Sequence, residues 1–509
     1  MVLFPNPRWL LVGLLAAFVL RAQPASEPGK GGQPREPREV ARPGQKLEDL
    51  RQSQPEDYRV YTEHPRLLLN PRRLRLLRRE RERKTLRWEQ FQLLVSGKAD
   101  LPEKGFAWAL YSITAEDAAV GKQAIQWALG PGADLRQLAL VYDWCHHLLD
   151  PAQARALENK LLKGLEREQR QSVSAVRDKV LAAVALVDHV AQVPEKTLQE
   201  IFQAWWLNRM VPAILQDRSA LALSDGYPLI ELMHVVQDNL KFDMRDNARP
   251  FFKDFPAHRL ISYYPAVYPA AENQYHIPMY RGLGEPDLQQ AALSRAADLA
   301  LVAFDTNALE HQFLQGWLMQ DRFIMRSPFG APYEFLWANQ YQPGLSYHHM
   351  TKQFHDPKAG LLILRSSWEE DAIWLSYHRG EMELFMDGKR SGLRPRAIQE
   401  PLQIGDAVVM VGEDTMRFSL TFSEATKYFI LGLRPHSRYD LEVDDEEIRE
   451  VRTDAGGILA LSFPPSAGIG ARLHYVGPLP PALEPSSSSS GSGSGSVSPA
   501  KRGPTTPGD

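Results

Sequence analysis

Two stretches of this sequence gather residue types that can move protons and grip anions. YYPAVYPAAENQYHIPMYRG (263–282) holds five tyrosines, with Glu272, Asn273, Tyr275, His276 and Arg281 among its residues. APYEFLWANQYQPGLSYHHM (331–350) holds Tyr333, Trp337, Tyr341, Tyr347, His348 and His349. Imidazoles and phenols serve as general acids and bases, aromatic rings offer flat apolar faces, and guanidiniums clamp carboxylates. Between the two stretches, Arg322 and Arg326 are possible clamps, although Arg322 beside Asp321 reads equally as a plain ion pair. SDGYPLIELMHVVQDN (224–239) sets Tyr227, Glu231 and His234 at i, i+4 and i+7, hence on one helix face. Each set also has a structural reading: an aromatic loop over the core, an interdomain joint, and a half-buried polar helix face.

LVYDWCHHLL (140–149) carries the only cysteine and two of the 14 histidines. On a helix, Leu138, Val141, Trp144, Cys145 and Leu148 form an apolar stripe, which makes Cys145 a small core residue. His146 and His147 diverge by about 100°, so a shared metal would need a partner from elsewhere. No metal ligand and no cofactor are assigned. Asp188-His189 reads as a terminal histidine near a helix C-terminus. The sequence has no Ser/His/Asp elbow, P-loop, GxGxxG or HExxH motif, which removes support for nucleotide, phosphoryl-transfer and zincin chemistry.

Positioning these residues takes a large chain, and 509 residues suffice for two or three domains. A net charge of −3 gives no global field for nucleic acid, and one cysteine excludes an intrachain disulfide framework. Arg8 precedes WLLVGLLAAFVL (9–20), an apolar run better suited to a signal peptide than to a bilayer span. The reading is a signal peptide at 1–25, a disordered linker at 26–57 and a disordered Ser/Gly/Pro-rich tail at 479–509. The expected location is exported: periplasmic, envelope-associated or secreted. No integral membrane segment is expected beyond the signal.

Between linker and tail the periodicity changes once. Up to about Leu345 it is helical, with Asn70-Pro71 as a start signal and helices near 104–115, 118–129, 134–148, 151–168, 173–192, 195–216, 226–240, 286–304 and 307–320. From about Ala359 the period is two, in nine strand-like runs. In GLRPHSRYDLEV (432–443), Leu433 and Tyr439 would fix a strand-to-strand corner, in a turn that resembles that of fibronectin type III sandwiches. The fold class read is α then β: a helical domain at 58–350 followed by an antiparallel β-sandwich at 351–478.

HPRLLLNPRRLRLLR (64–78), LALVYDWCHHLLDPAQ (138–153) and KAGLLILRSSW (358–368) together resemble the heparinase II/III-like and alginate-lyase-type polysaccharide lyases. The resemblance covers about residues 60–475 and implies an (α/α) toroid, an incomplete α/α barrel, capped by the sandwich. It implies a uronate-containing, anionic polysaccharide as substrate, held between toroid and sandwich and cut by β-elimination. That chemistry needs a proton carrier, assigned to Tyr275, His276, Tyr347 and His348. It also needs groups that neutralise the carboxylate and stack the sugar, assigned to Arg177, Tyr227, His234, Asn273, Arg281, Arg322, Trp337 and Tyr341. Two family segments differ here. Residues 169–189 carry Ser172, Ser174 and Arg177 in place of an Asn-His pair, and 375–392 carries only His378 in place of a His-x-His-Ala-Asp-like run. Two other readings stay open: a catalytically degenerate glycan-binding protein, and a toroid hydrolase using carboxylates such as Asp225, Glu231 or Glu272.

Overall fold

The structure, a computed structural model, describes residues 63–480 except 168–170, 191, 271–273, 321–323, 340, 399, 421–426 and 464–467. The expected signal and linker, and the expected tail from residue 481 on, lie outside the described residues. Helices come first: α1 Pro71–Glu82, α2 Leu86–Ser96, α3 Lys104–Ala115, α4 Ala118–Leu129, α5 Leu135–Trp144, α6 Pro151–Glu166, α7 Val173–Leu186 and α8 Val193–Glu200. A π-helical stretch, Ile201–Met210, leads into α9 Val211–Gln216. Then follow α10 Gly226–Leu240, α11 Arg249–Ile261, α12 Leu288–Phe304, α13 Leu309–Gln320 and α14 Gly330–Trp337. Asn70 caps α1 as its sequence requires, its side chain accepting the Arg73 N–H at 2.9 Å with Pro71 at the first position.

The helices form two layers. Contacts run from α3 to α5, α7, α10, α12 and α14, and from α14 back to α2 and α3, closing an inner ring. The sequence of the inner helices explains their place. All ten residues of α5 are buried, as are thirteen of α10, so these helices have no solvent face. Outer helices α4 and α6 bury narrower stripes, such as Leu157, Leu161 and Leu165 on α6.

Three helices depart from expectation, and the first, α2, lies in a stretch that was not read as helix. α11 holds Pro256 in its interior, a residue that reads as a breaker, yet the helix continues and buries Phe251, Phe252, Phe255 and Leu260. α14 occupies the start of the stretch read as an interdomain joint. Consequently the Tyr/His-rich segment follows α11, and it contains a short hairpin, β1 Tyr268–Pro269 with β2 Gln274–Tyr275.

The β region is a stack of three sheets. β3 Gln353–Asp356, β4 Leu361–Arg365, β5 Trp374–His378, β6 Glu381–Met386 and β7 Lys389–Leu393 form the first, wholly antiparallel. The second has the order β14-β11-β9-β8, from β8 Leu402–Ile404, β9 Ala407–Val411, β11 Lys427–Leu431 and β14 Leu459–Ser462, with β9 and β11 parallel. The third, β10-β15-β12-β13, joins β10 Thr415–Leu420, β12 Ser437–Val443, β13 Glu447–Arg452 and β15 Ile469–Pro478. Period-two alternation fixes the layering. Leu361, Ile363, Trp374 and Phe385 belong to the helical core, while Leu362, Leu364, Leu375 and Leu384 meet Val409 and Phe429 of the second sheet. Val408 and Ile430 then face Tyr439, Leu441 and Leu473 of the third. Leu433 and Tyr439 form the expected corner: both are buried, and the Arg434 N–H donates to the Tyr439 hydroxyl at 3.1 Å.

The first sheet is tied to the helices by named bonds. Trp374 Nε1 donates to the Ile261 carbonyl at 2.8 Å, Tyr264 to Glu383 at 2.7 Å, and Arg218 pairs with Asp356 at 3.1 Å.

Candidate functional site

Inside the ring, beginning near the N-terminal ends of α5, α7 and α10, lies a cluster of charges. Arg136, in the first turn of α5, grips Glu231 of α10 with Nε and Nη2 at 2.9 and 2.8 Å. Arg177 of α7 reaches the same carboxylate at 2.6 Å through Nη1 and its neighbour Asp178 at 2.6 Å through Nε. Tyr227 donates to Glu231 at 3.0 Å and accepts from Trp337 Nε1 at 3.1 Å. Glu103, which precedes α3, receives Arg136 Nη1 at 3.2 Å and the Tyr333 hydroxyl. Glu231 is fully buried, whereas Glu103 and Asp178 reach solvent with about a quarter of their side chains, 26% and 22%.

The electrostatics follow from this packing. Burial pushes the Glu231 carboxyl up, but Arg136 and Arg177 outweigh it and hold the group below its usual range. Burial wins at Asp178, which is raised against the pull of Arg177. The Tyr227 phenol is pushed far up by burial and by Glu231. The Tyr333 phenol is also far up, with burial and Glu103 overriding the opposite effect of Arg136. Both phenols are therefore donors at neutral pH and poor bases.

Of the sequence-assigned residues, Arg177, Tyr227 and Trp337 meet in this cluster, and His234 adjoins it. The His234 ring lies 4.5 Å from that of Trp337, and its Nε2 faces the Ala300 carbonyl at 2.9 Å. Burial and Arg73 keep its pKa well below the ordinary histidine value, so it is a neutral donor. Arg73 lies over the Trp337 ring at 4.0 Å.

The four residues assigned to proton transfer lie elsewhere. Tyr275 is buried in β2, opposite Tyr268, and His276 is half-buried, edge-on to Trp317 of α13 at 5.2 Å. Tyr347 is buried against Trp368, with the His348 ring stacked on it at 4.4 Å. His348 reaches solvent, 3.9 Å from Glu369. The turn Tyr347–His349 packs on α13, so both segments lie against that helix. Arg281 and Arg326 are exposed, while Asn273, Arg322 and Glu272 lie outside the described residues. Asp225 is half-buried, its carboxyl raised by burial despite accepting the Ala222 N–H.

Sequence reasoning passed over Arg136, Glu103 and Asp178, and read Tyr333 only as an aromatic face, whereas its hydroxyl donates to Glu103. A signal existed for Arg136: a charge on a helix with no polar face must find a buried counter-charge. The partner itself could not be read, because it comes from a helix 95 residues away.

The first two family-like motifs are docked on one another. Asp143 accepts the Arg66 and Leu67 N–H groups at 2.9 and 2.8 Å and His64 Nδ1 at 2.6 Å, and Trp144 Nε1 donates to the Leu67 carbonyl at 2.8 Å. α5 ends at Trp144, and His146–Leu148 form a 3-10 turn, so the helix stops short of the expected 148. Cys145 is buried, its thiol pushed up to about 12 by desolvation and Asp143, which leaves it inert.

On the outer surface, Arg72, Arg75, Arg79 and Arg83 are exposed along and just after α1. Beside them Tyr341 shows 42% of its surface. Arg83 donates to its hydroxyl at 2.7 Å, and the guanidiniums of Arg79 and Arg83 stand 5.3 and 5.2 Å from its ring centre.

No family model matches the sequence, and no curated protein matches it. Among solved structures, the chain is similar to heparinase III, with a TM-score of 0.36, 10% identity and coverage of 74% of this chain and 76% of that one. It is also similar to the heparan sulfate lyase HepC of Pedobacter heparinus, with a TM-score of 0.34, 10% identity and coverage of 73% and 75%. A third similar structure is a glycoside hydrolase, with a TM-score of 0.27, 9% identity and coverage of 74% and 72%. The similarity is distant.

Proposed function

We propose that this protein engages an anionic, uronate-containing polysaccharide. The observation that carries the reading is the exposed strip of Arg72, Arg75, Arg79 and Arg83, the last two of which stand over the ring of Tyr341. Guanidiniums match carboxylates in a planar, two-pronged way, and an exposed ring offers a face to a sugar. The apolar run 9–20 supports an exported location, where such polymers occur. Among the described residues no helix is long and apolar enough to cross a membrane. The division at 58–350 and 351–478 is part of the same proposal.

The test is retention on immobilised alginate, heparin-type and chondroitin-type chains. Wild-type protein is retained, and Arg79→Glu with Tyr341→Ala weakens retention about tenfold, the loss of about 1.4 kcal/mol. Equal retention of the double variant, or no retention by any chain, overturns the reading.

A second reading, cleavage by β-elimination, is favoured by His276 and His348, which keep access to solvent on segments against the same helix. The burial of Tyr275 and Tyr347 leaves these histidines as the better proton carriers. Ultraviolet-absorbing unsaturated ends, lost in His276→Ala or His348→Ala, are its expected signature. Binding without such ends leaves a glycan-binding protein.

A further inference from the structure

We propose that His64, His146 and His189 form a binding site for a divalent transition-metal ion. The three residues come from different parts of the chain: the segment before α1, the turn after α5 and the turn after α7. One ring nitrogen from each lies within 4.8 Å of the other two, the reach of ligands that can close on one ion. The His64 and His189 Nε2 atoms are already 3.0 Å apart. Two nitrogens bound tetrahedrally at about 2.0–2.1 Å from zinc stand only a few tenths of an ångström further apart. His146 stacks on His64 at 4.1 Å between ring centres, and its own ring is 5.0 Å from that of His189.

The surroundings favour a metal over a chance cluster. His64 Nδ1 is bonded at 2.6 Å to Asp143, a carboxylate that also anchors the backbone of Arg66 and Leu67. A carboxylate on one ring nitrogen fixes the tautomer, so the lone pair of His64 is at Nε2, aimed at His189. His64 and His146 are partly buried and His189 is exposed, so an ion can enter and water can fill its fourth position. Arg66 works against the site, since its Nη2 lies 3.3 Å from His64 Nε2. Its Nη1 is engaged by Asp188 at 2.6 Å and a further Nη2 bond goes to the Ala185 carbonyl, so the guanidinium has alternative partners when an ion takes the imidazole. An all-imidazole set suits zinc, copper, nickel or cobalt, and gives no advantage to calcium or magnesium. The ion would clasp the N-terminal segment to the ends of two inner helices. The cluster stands beyond the C-terminal ends of α5 and α7, away from Arg136 and Arg177, and the proposal does not rest on polysaccharide binding.

The test uses the full chain, freed of metal by chelator dialysis and titrated with Zn²⁺ and with Co²⁺. One ion per chain is expected, with a tetrahedral Co²⁺ absorption spectrum and a rise in Tm on loading. His189→Gln, at an exposed position, and His146→Gln should each weaken Zn²⁺ binding at least about tenfold, a loss at the level seen for even a supporting residue of a metal site. His147→Gln, whose side chain is on the exposed neighbour, should leave it unchanged. The absence of stoichiometric binding, or binding unchanged in both His189→Gln and His146→Gln, overturns the proposal.

Discussion

At the scale of the residue, Glu231 is the most constrained group of the ring interior. Two guanidiniums and a phenol satisfy a carboxylate with no access to water, while the second partners of the guanidiniums, Glu103 and Asp178, still reach solvent. Glu231→Gln keeps the shape and removes the charge, leaving Arg136 and Arg177 facing an amide. The expected cost is about 3–5 kcal/mol, read as a lower denaturant midpoint. A loss below about 1 kcal/mol would show that water or Asp178 takes over. This cluster was half legible beforehand. Tyr227, Glu231 and His234 were read as sharing a face, and they do lie on one helix, but His234 turns to the Ala300 carbonyl instead of to the charges. Side-chain spacing gives a face; which neighbour the face meets is decided by the other helices of the ring.

At the scale of the element, Gly316 of α13 shows how the 344–349 segment is held. A Cβ at Gly316 would sit 1.7 Å from the Leu345 carbonyl oxygen, and one at Gly344 would sit 2.4 Å from the Gly316 nitrogen. Two backbones touch there, and the Leu345 N–H donates to the Gln312 carbonyl at 2.8 Å. Gly316→Ala must push the segment away and is expected to cost about 1–3 kcal/mol. It should also displace the turn that carries Tyr347 and His348, which increased hydrogen exchange at 345–350 would report. Most helices were legible to within a few residues because their apolar spacing is undisturbed. α11 was not, since Pro256 masks it, and neither were short polar strands such as β7 and β13, which bury too little for alternation to show.

At the scale of the whole molecule, stability should depend on pH through buried neutral histidines. His258, stacked on Phe354 where α11 meets β3, is pushed down to about 3 by burial, Arg218 and Arg259. His311 on α13 is lowered to about 4, chiefly by burial. Unfolded histidine titrates near 6.5. Both groups are neutral in either state at pH 7 and above, so their contribution is fully present there. As pH falls below 6.5, the unfolded chain gains protons that the folded one refuses, and stability drops until the folded values are reached. The expected slope is about 1.4 kcal/mol per pH unit for each histidine. His258→Phe keeps the stack, and it should flatten the fall in Tm between pH 6 and pH 4. An unchanged slope would mean that other groups set the acid limb. This property was invisible in the sequence, where His258 is one polar letter in a stretch that was not read as helix.

The first sheet is buried on both sides: Leu361, Ile363, Trp374 and Phe385 lie against the helices, and their alternates against the second sheet. The point at which the periodicity changes from 3.6 to two is therefore a poor place to cut the chain. A fragment beginning near residue 351 would present an uncovered greasy wall, with the Trp374 indole robbed of its carbonyl and Arg218 no longer there to meet Asp356. Such a piece should aggregate on expression, and adding the helical fragment back in trans should be what keeps it in solution.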